Sequence, residues 1–151
     1  FFFKQKTAYE IYQCDWSSDV CSSDLGLTRS AHDCSDGGLA VALAECCFSA
    51  LNHERIGAKI DVASDGLDAS AVLFGESSGR VVVSFSASDV ERAREVAGEV
   101  EFNVIGRVGG ASLTIAVDGN DTIDESILTL ETLWSNALGS KLSTFDAAAE
   151  V

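Results

Sequence analysis

Between Gly38 and Leu51 the apolar residues Leu39, Leu43, Cys47, Phe48 and Leu51 recur every three to four positions, a spacing that predicts an amphipathic helix. The run before it, His32-Asp33-Cys34-Ser35-Asp36-Gly37-Gly38, offers several capping side chains and two permissive glycines, as a helix start requires. The period then changes to two. Ile56, Ala58, Ile60 and Val62 alternate with polar residues, which predicts a strand, and Asp65-Gly66 follows as a turn. A short helix over Leu67 to Phe74 leads through Gly75-Glu76-Ser77-Ser78-Gly79 into an apolar strand, Arg80 to Ser86. Ser88 stands where it can cap the next helix, in which Val90, Ala93, Val96 and Ala97 face inward while Glu91, Arg92, Arg94 and Glu95 stay wet. Phe102 to Val108 and Leu113 to Val117 read as two strands with the hairpin signal Gly109-Gly110 between them. Leu130, Leu133, Trp134 and Leu138 predict a closing helix that Gly139 can end, leaving residues 141–151 as a frayed tail.

The order helix, strand, helix, strand, helix, strand, strand, helix predicts an α+β fold, a mixed β-sheet with packed helices. Within it, Val81 to Val108 form one strand-helix-strand crossover beside an antiparallel hairpin. The patterned part is one domain, residues 26–140. Residues 1–25 show no sustained period, and Trp16-Ser17-Ser18-Asp19 and Cys21-Ser22-Ser23-Asp24 build no apolar face, so no element is expected there.

Composition narrows the function. The 151 residues are 46% hydrophobic and 23% charged, enough for one domain with a real core. The formal charge of −14 repels phosphate backbones and anionic lipid, which argues against nucleic-acid and membrane-surface roles. Apolar runs such as Leu39 to Leu43 fall far short of the roughly 20 residues a bilayer-spanning helix needs, and no export signal is present. Cys14, Cys21, Cys34, Cys46 and Cys47 form no C-x-x-C pair and no metal-ligand spacing with His32 or His53. Cys47 falls on the apolar face of the first helix, the place of a structural thiol in a reduced cytosolic protein.

Two segments could carry chemistry. In the HDCSDGG turn, glycines ahead of a helix let backbone N–H groups approach an anion. Asp33 and Asp36 would repel a bare phosphate there, so an anion would need a bridging divalent cation; which metal, and through which ligands, the sequence leaves unknown. The simpler reading is that Asp33, Ser35 or Asp36 caps the first turn, with Gly37 and Gly38 supplying the bend. In the second segment, LFGESSGRVVVS, Glu76, Ser77 and Arg80 decorate a loop that either holds a ligand or is closed by an exposed Glu76 to Arg80 ion pair. His32 reads as a hydrogen-bonding residue rather than a base, and His53 lies in a polar turn. No nucleophile with an adjacent base is visible, so no catalytic residue is assigned.

SAHDCSDGGLAVALAECC, LFGESSGRVVVS, IGRVGG with the strand LTIAV, and LETLWSNAL together resemble the C-terminal domain of phosphoribosylformylglycinamidine synthase, synthetase subunit, in the aminoimidazole ribonucleotide synthetase-like superfamily. The resemblance spans Gly26 to Leu138 in unbroken order. It implies a cytoplasmic ligase of purine biosynthesis that uses ATP, Mg²⁺ and glutamine-derived ammonia to convert formylglycinamide ribonucleotide to formylglycinamidine ribonucleotide. It further implies a parent of two similar halves, of which this chain matches the last domain. Its partners would be the remaining domains of that subunit, a glutaminase subunit or domain, and a small accessory subunit. The family's catalytic histidine, nucleotide-binding lysine and most metal ligands would then lie upstream, so the piece alone is expected to be inactive. In the first half of that family the loop reads Glu-Ser-Gln. Here Glu76 and Ser77 match while Ser78 departs, which places the loop at an auxiliary pseudo-site. The rival readings are another ATP-dependent superfamily member, such as aminoimidazole ribonucleotide synthetase or selenophosphate synthetase, and a non-catalytic ligand-sensing α/β module.

Residues 1–25 resemble something else, the translation of a sequencing adapter, and the opening Phe1-Phe2-Phe3 and the absence of Pro and Met fit a foreign leader. Setting it aside removes two Lys and four acidic residues, which takes the formal charge from −14 to −12.

Overall fold

The computed structural model describes residues 9–15, 27–49, 54–77 and 79–148. The elements in chain order are β1 (Tyr9–Asp15), β2 (Thr28–Asp33), α1 (Gly38–Cys47), β3 (Ala58–Val62), α2 (Ala69–Phe74), β4 (Arg80–Ser86), a 3₁₀ turn (Ala87–Asp89), α3 (Val90–Ala97), β5 (Phe102–Val108), β6 (Ser112–Val117), β7 (Asn120–Ser126) and α4 (Ile127–Ala148). The strands form one mixed sheet in the order β2-β4-β1-β5-β3-β6-β7. Among the described residues only β3 and β6 pair in parallel, and the other neighbouring pairs are antiparallel.

Helices α1, α2 and α4 cover one face of the sheet and α3 packs on the other at β4, so alternation along β4 divides its side chains between two cores. Val82 joins the larger core with Leu39, Leu43, Leu73, Ile105, Leu113, Ile115 and Ile127, under α1, α2 and α4. Val83 and Phe85 point the other way and pack with Leu27, Val90 and Ala93 of the α3 side. The α+β class and the mixed sheet therefore agree with the sequence reading, and β4 and β5 occupy their expected residues.

Several details differ. No element was expected in residues 1–25, yet the backbone of Tyr9–Asp15 is a strand lying between β4 and β5, antiparallel to both. A seven-residue strand with a ladder on each side needs no long apolar period; the two tyrosines and Ile11 of YEIYQCD suffice locally. The expected hairpin of β5 with β6 does not form, because β3 lies between them. Gly57, just before β3, donates to the Gly110 carbonyl at 2.9 Å and accepts from the Gly109 N–H at 2.7 Å. A side chain at Gly57 would overlap the Ser112 carbonyl oxygen, so this entry into the β5–β6 link requires glycine. The hairpin that does form joins β6 to β7 through Asp118-Gly119, both at positive φ (51° and 74°), the two-residue turn whose twist suits antiparallel strands. α4 does not stop at Gly139 but continues to Ala148, since one exposed glycine costs a helix only about 1 kcal/mol. α1 ends at Cys47 with Phe48 already extended, and Leu51 lies outside the described residues. Ser88 does not cap α3; it sits inside the 3₁₀ turn, with its hydroxyl 3.0 Å from that of Ser86.

Candidate functional site

The HDCSDGG turn sits where β2 hands the chain to α1. Its Cys34 N–H donates to the Arg80 carbonyl at 2.9 Å, which fixes the turn to the first residue of β4. Gly37 and Gly38 make the bend at φ 75° and 77°. At Gly38 a Cβ would come within 2.7 Å of the Phe74 carbonyl carbon, so the start of α1 lies directly against the end of α2. That contact delivers the next loop. Gly75 and Glu76 follow Phe74, and the Gly37 N–H donates to Glu76 Oε1 at 3.1 Å. The two segments singled out in the sequence, 39 residues apart, thus meet at the first turn of α1.

Neither simple reading of these segments survives unchanged. No side chain caps α1: Gly37 occupies the N-cap position, and the Ser35 hydroxyl donates to Asp33 Oδ2 instead. The expected Glu76 to Arg80 pair is replaced by the Gly37 contact, while Arg80 Nη1 donates to the Val72 carbonyl at 3.2 Å. Ser77 is exposed on the same loop, and Ser78 lies outside the described residues. A carboxylate from within the chain therefore holds a donor that a phosphate would use, with Asp33 and Asp36 exposed on the same turn. Among the described residues no group of three His, Cys, Asp or Glu side chains could hold a metal ion. The Gly37 donor of the turn is thus already engaged by Glu76, and no reaction step is derived through a metal there.

His32 has the structural role expected of it. Its Nδ1 donates to the Asp33 carbonyl at 2.7 Å, and its Nε2 lies 3.0 Å from Glu45 Oε2 on α1. Glu45 Oε1 accepts the Trp134 indole N–H at 3.0 Å, and the Trp134 ring leans on Phe48 with centroids 5.6 Å apart. One carboxylate thereby ties β2, α1 and α4 together. Glu131 makes a second tie: it accepts from the Ser49 N–H (3.1 Å), the Ser49 hydroxyl (2.6 Å) and Arg55 Nε. The Ser49 hydroxyl, then Arg55, holds its carboxyl below the usual range. Neither Glu45 nor Glu131 was legible as a partner, because the residues they bind lie up to 89 positions away. His53 lies outside the described residues. Burial pushes the Cys46 thiol up to about 11 and Cys47 to about 12, in keeping with structural thiols.

Comparison with known proteins gives a consistent picture. The profile of the family described as AIR synthase related protein, C-terminal domain, matches residues 18–118. A phosphoribosylformylglycinamidine synthase subunit PurL from Moorella thermoacetica is 36% identical over 115 residues, which is 75% of this chain and 15% of the relative. The chain thus spans about one-seventh of the length of the curated relatives it matches. The structure of Thermotoga maritima PurL complexed with ATP superposes with a TM-score of 0.66 at 16% identity, covering 84% of this chain and 26% of that one. A thiamine-monophosphate kinase from Stenotrophomonas maltophilia superposes with a TM-score of 0.51 at 14% identity, covering 78% of this chain and 52% of that one. At these identities the superpositions speak to fold alone.

Proposed function

The chain belongs to the AIR synthase related protein, C-terminal domain family, and we propose that it is the last domain of a phosphoribosylformylglycinamidine synthase synthetase subunit. On this reading the parent is a cytoplasmic ligase of purine biosynthesis. It binds ATP with Mg²⁺, activates the amide oxygen of formylglycinamide ribonucleotide by phosphorylation, and lets glutamine-derived ammonia displace the phosphate. A glutaminase subunit or domain supplies the ammonia, and a small accessory subunit completes the assembly.

The observation that carries the reading is the meeting of its two motifs, Gly37 N–H on Glu76 Oε1, at the start of α1. Sequence relatives with the same name support it, whereas the shared fold also accommodates a kinase. Within this domain Asp33, Ser35, Asp36, Gly37 and Gly38 form the turn, and Glu76, Ser77 and Arg80 the loop, of an auxiliary pseudo-site that Glu76 closes from within. The family's reacting groups would belong to the rest of the parent, so the domain contributes architecture and not the chemical step.

Two measurements test this. Sequencing the genomic locus upstream of Gly26 should reveal a long reading frame for the rest of the subunit; a true start codon close to Gly26 would overturn the assignment. Incubating the 151-residue chain with formylglycinamide ribonucleotide, ATP, Mg²⁺ and ammonia should release no phosphate above background. Turnover by the chain alone would refute the assignment of the chemistry to other domains.

A further inference from the structure

β1 is central by position, yet it stands outside the pattern of its family. It lies between β4 and β5 and pairs antiparallel with both, so β4 and β5, joined through α3, run parallel with a gap of one strand between them. Across that gap the two strands stand about 10 Å apart, twice the spacing of hydrogen-bonded neighbours. The family match covers residues 18–118, which takes in both walls of the gap and leaves out the strand that fills it. We propose that the gap between β4 and β5 is an acceptor slot for an apolar strand that the parent subunit supplies from its own chain ahead of residue 27, and that Tyr9–Asp15 occupies it as a substitute.

Three observations favour this occupant. The slot reads main chain. All seven residues of β1 are in register with β4, from Tyr9 opposite Ser86 to Asp15 opposite Arg80, and six are in register with β5, with one shift between Ile11 and Tyr12. Ladder hydrogen bonds belong to the backbone, so such a slot admits strands of unrelated sequence, as strand addition does at a sheet edge. The walls, however, ask for apolar residues on both faces. Val82 belongs to the larger core and Val83 and Phe85 to the smaller, where Phe85 and Phe102, one from each wall, meet with ring centroids 6.0 Å apart. A strand enclosed on both faces is ordinarily a near-continuous apolar run. YEIYQCD is not one: in register, Gln13 stands opposite Val82 and Glu10 opposite Phe85, and both of those partners are buried. The third observation is the source of a better strand. The chain spans 15% of the PurL relative from Moorella thermoacetica. On the parent reading given above, on which the identity of the occupant rests, most of the subunit lies beyond these residues and is tethered to them. A tethered strand reaches the slot at high effective concentration, so it prevails over free peptides.

Thermal melts of the full chain, followed by circular dichroism, test the proposal. Ile11→Pro removes a ladder donor from the middle of β1 and should abolish the cooperative transition. A synthetic peptide of residues 4–15 carrying Glu10→Val and Gln13→Val, added at about 0.5 mM, within the range of effective concentrations a tether supplies, should restore it. The same peptide with Ile11→Pro added should not. In a chain that keeps its own strand, Glu10→Val together with Gln13→Val should raise the melting temperature by about 3 °C or more, because the slot gains apolar residues opposite Phe85 and Val82. An Ile11→Pro chain that melts like wild type would overturn the proposal, by showing that β4 and β5 need no strand between them. A peptide that restores nothing, or an apolar pair that lowers the melting temperature, would overturn it as well. These readouts use no substrate or nucleotide, so they separate from the parent assignment. Failed readouts with a long reading frame upstream of Gly26 would remove the slot and leave the parent, whereas a start codon close to Gly26 would remove the parent and this occupant with it.

Discussion

The Gly37 N–H donates to Glu76 Oε1 at 3.1 Å, so one donor at the N-cap of α1 is met by a carboxylate two residues beyond α2. An acidic group suits the positive end of a helix, and this one also pins the loop. Glu76→Ala should lower the unfolding free energy by about 1 kcal/mol, while Glu76→Gln, which keeps an acceptor oxygen, should lose less than half of that. Urea titration of both variants measures the difference, and equal losses would show that the bond contributes nothing.

The close approach behind that bond is the more demanding feature. Gly38→Ala adds a Cβ within 2.7 Å of the Phe74 backbone at a positive φ, and should cost more than about 3 kcal/mol. Gly66, at φ 82° with nothing within 4 Å of its missing Cβ, is the control: alanine there should cost only about 1–2 kcal/mol. Thermal melts that rank the two variants equally would contradict the contact between α1 and α2.

Glu131 gives a pH signature. Its carboxyl is depressed by the Ser49 hydroxyl and by Arg55, so its stabilisation is complete above the ordinary carboxylate range, about 4, and is lost as pH falls through its lower folded value. Asp118, depressed by Ser64, and Asp68, depressed by Ser70, act in the same direction. Glu131→Gln should therefore melt below wild type at pH 7, and the gap should close between pH 4 and pH 2. A gap that persists unchanged at pH 2 would rule out this linkage.

The buried thiols predict the opposite pH limb. With Cys46 raised to about 11 and Cys47 to about 12, the unfolded chain ionises first as pH rises past 9, and stability should fall from there upward. At pH 7.5 the buried Cys47 thiol should react with a disulfide reagent at least tenfold more slowly in the native chain than in urea, and rapid native labelling there would count against its burial.

β1 offers a direct test of the sheet. Deleting residues 1–25 removes the strand that both β4 and β5 pair with, so the truncated chain should lose cooperative unfolding and bind apolar dyes. An unchanged melt would mean that β4 and β5 close on each other without it.

How much was legible follows from where each signal resides. The start of α1 and the bounds of β4 and β5 are local pattern, and they were found. β7 was missed because Asn120 to Ser126 contains one apolar residue, Ile123; its pairing comes from the Asp118-Gly119 turn and the ladder with β6. The insertion of β3 beside β6 could not be read either, since Gly57 marks it only through a close approach to a segment over 50 residues away. The site divides in the same manner. Both of its motifs stood out as strings, but that Glu76 turns to Gly37 and not to Arg80 depends on how two helix ends abut, which no periodicity records.

β7 forms one margin of the sheet, and its Asp121, Asp124 and Glu125 are exposed. A second β7 docking there in parallel and in register would line up carboxylate against carboxylate at all three positions. The margin thus opposes the parallel, in-register stacking of like strands on which fibrils are built, and the ladder ends at β7.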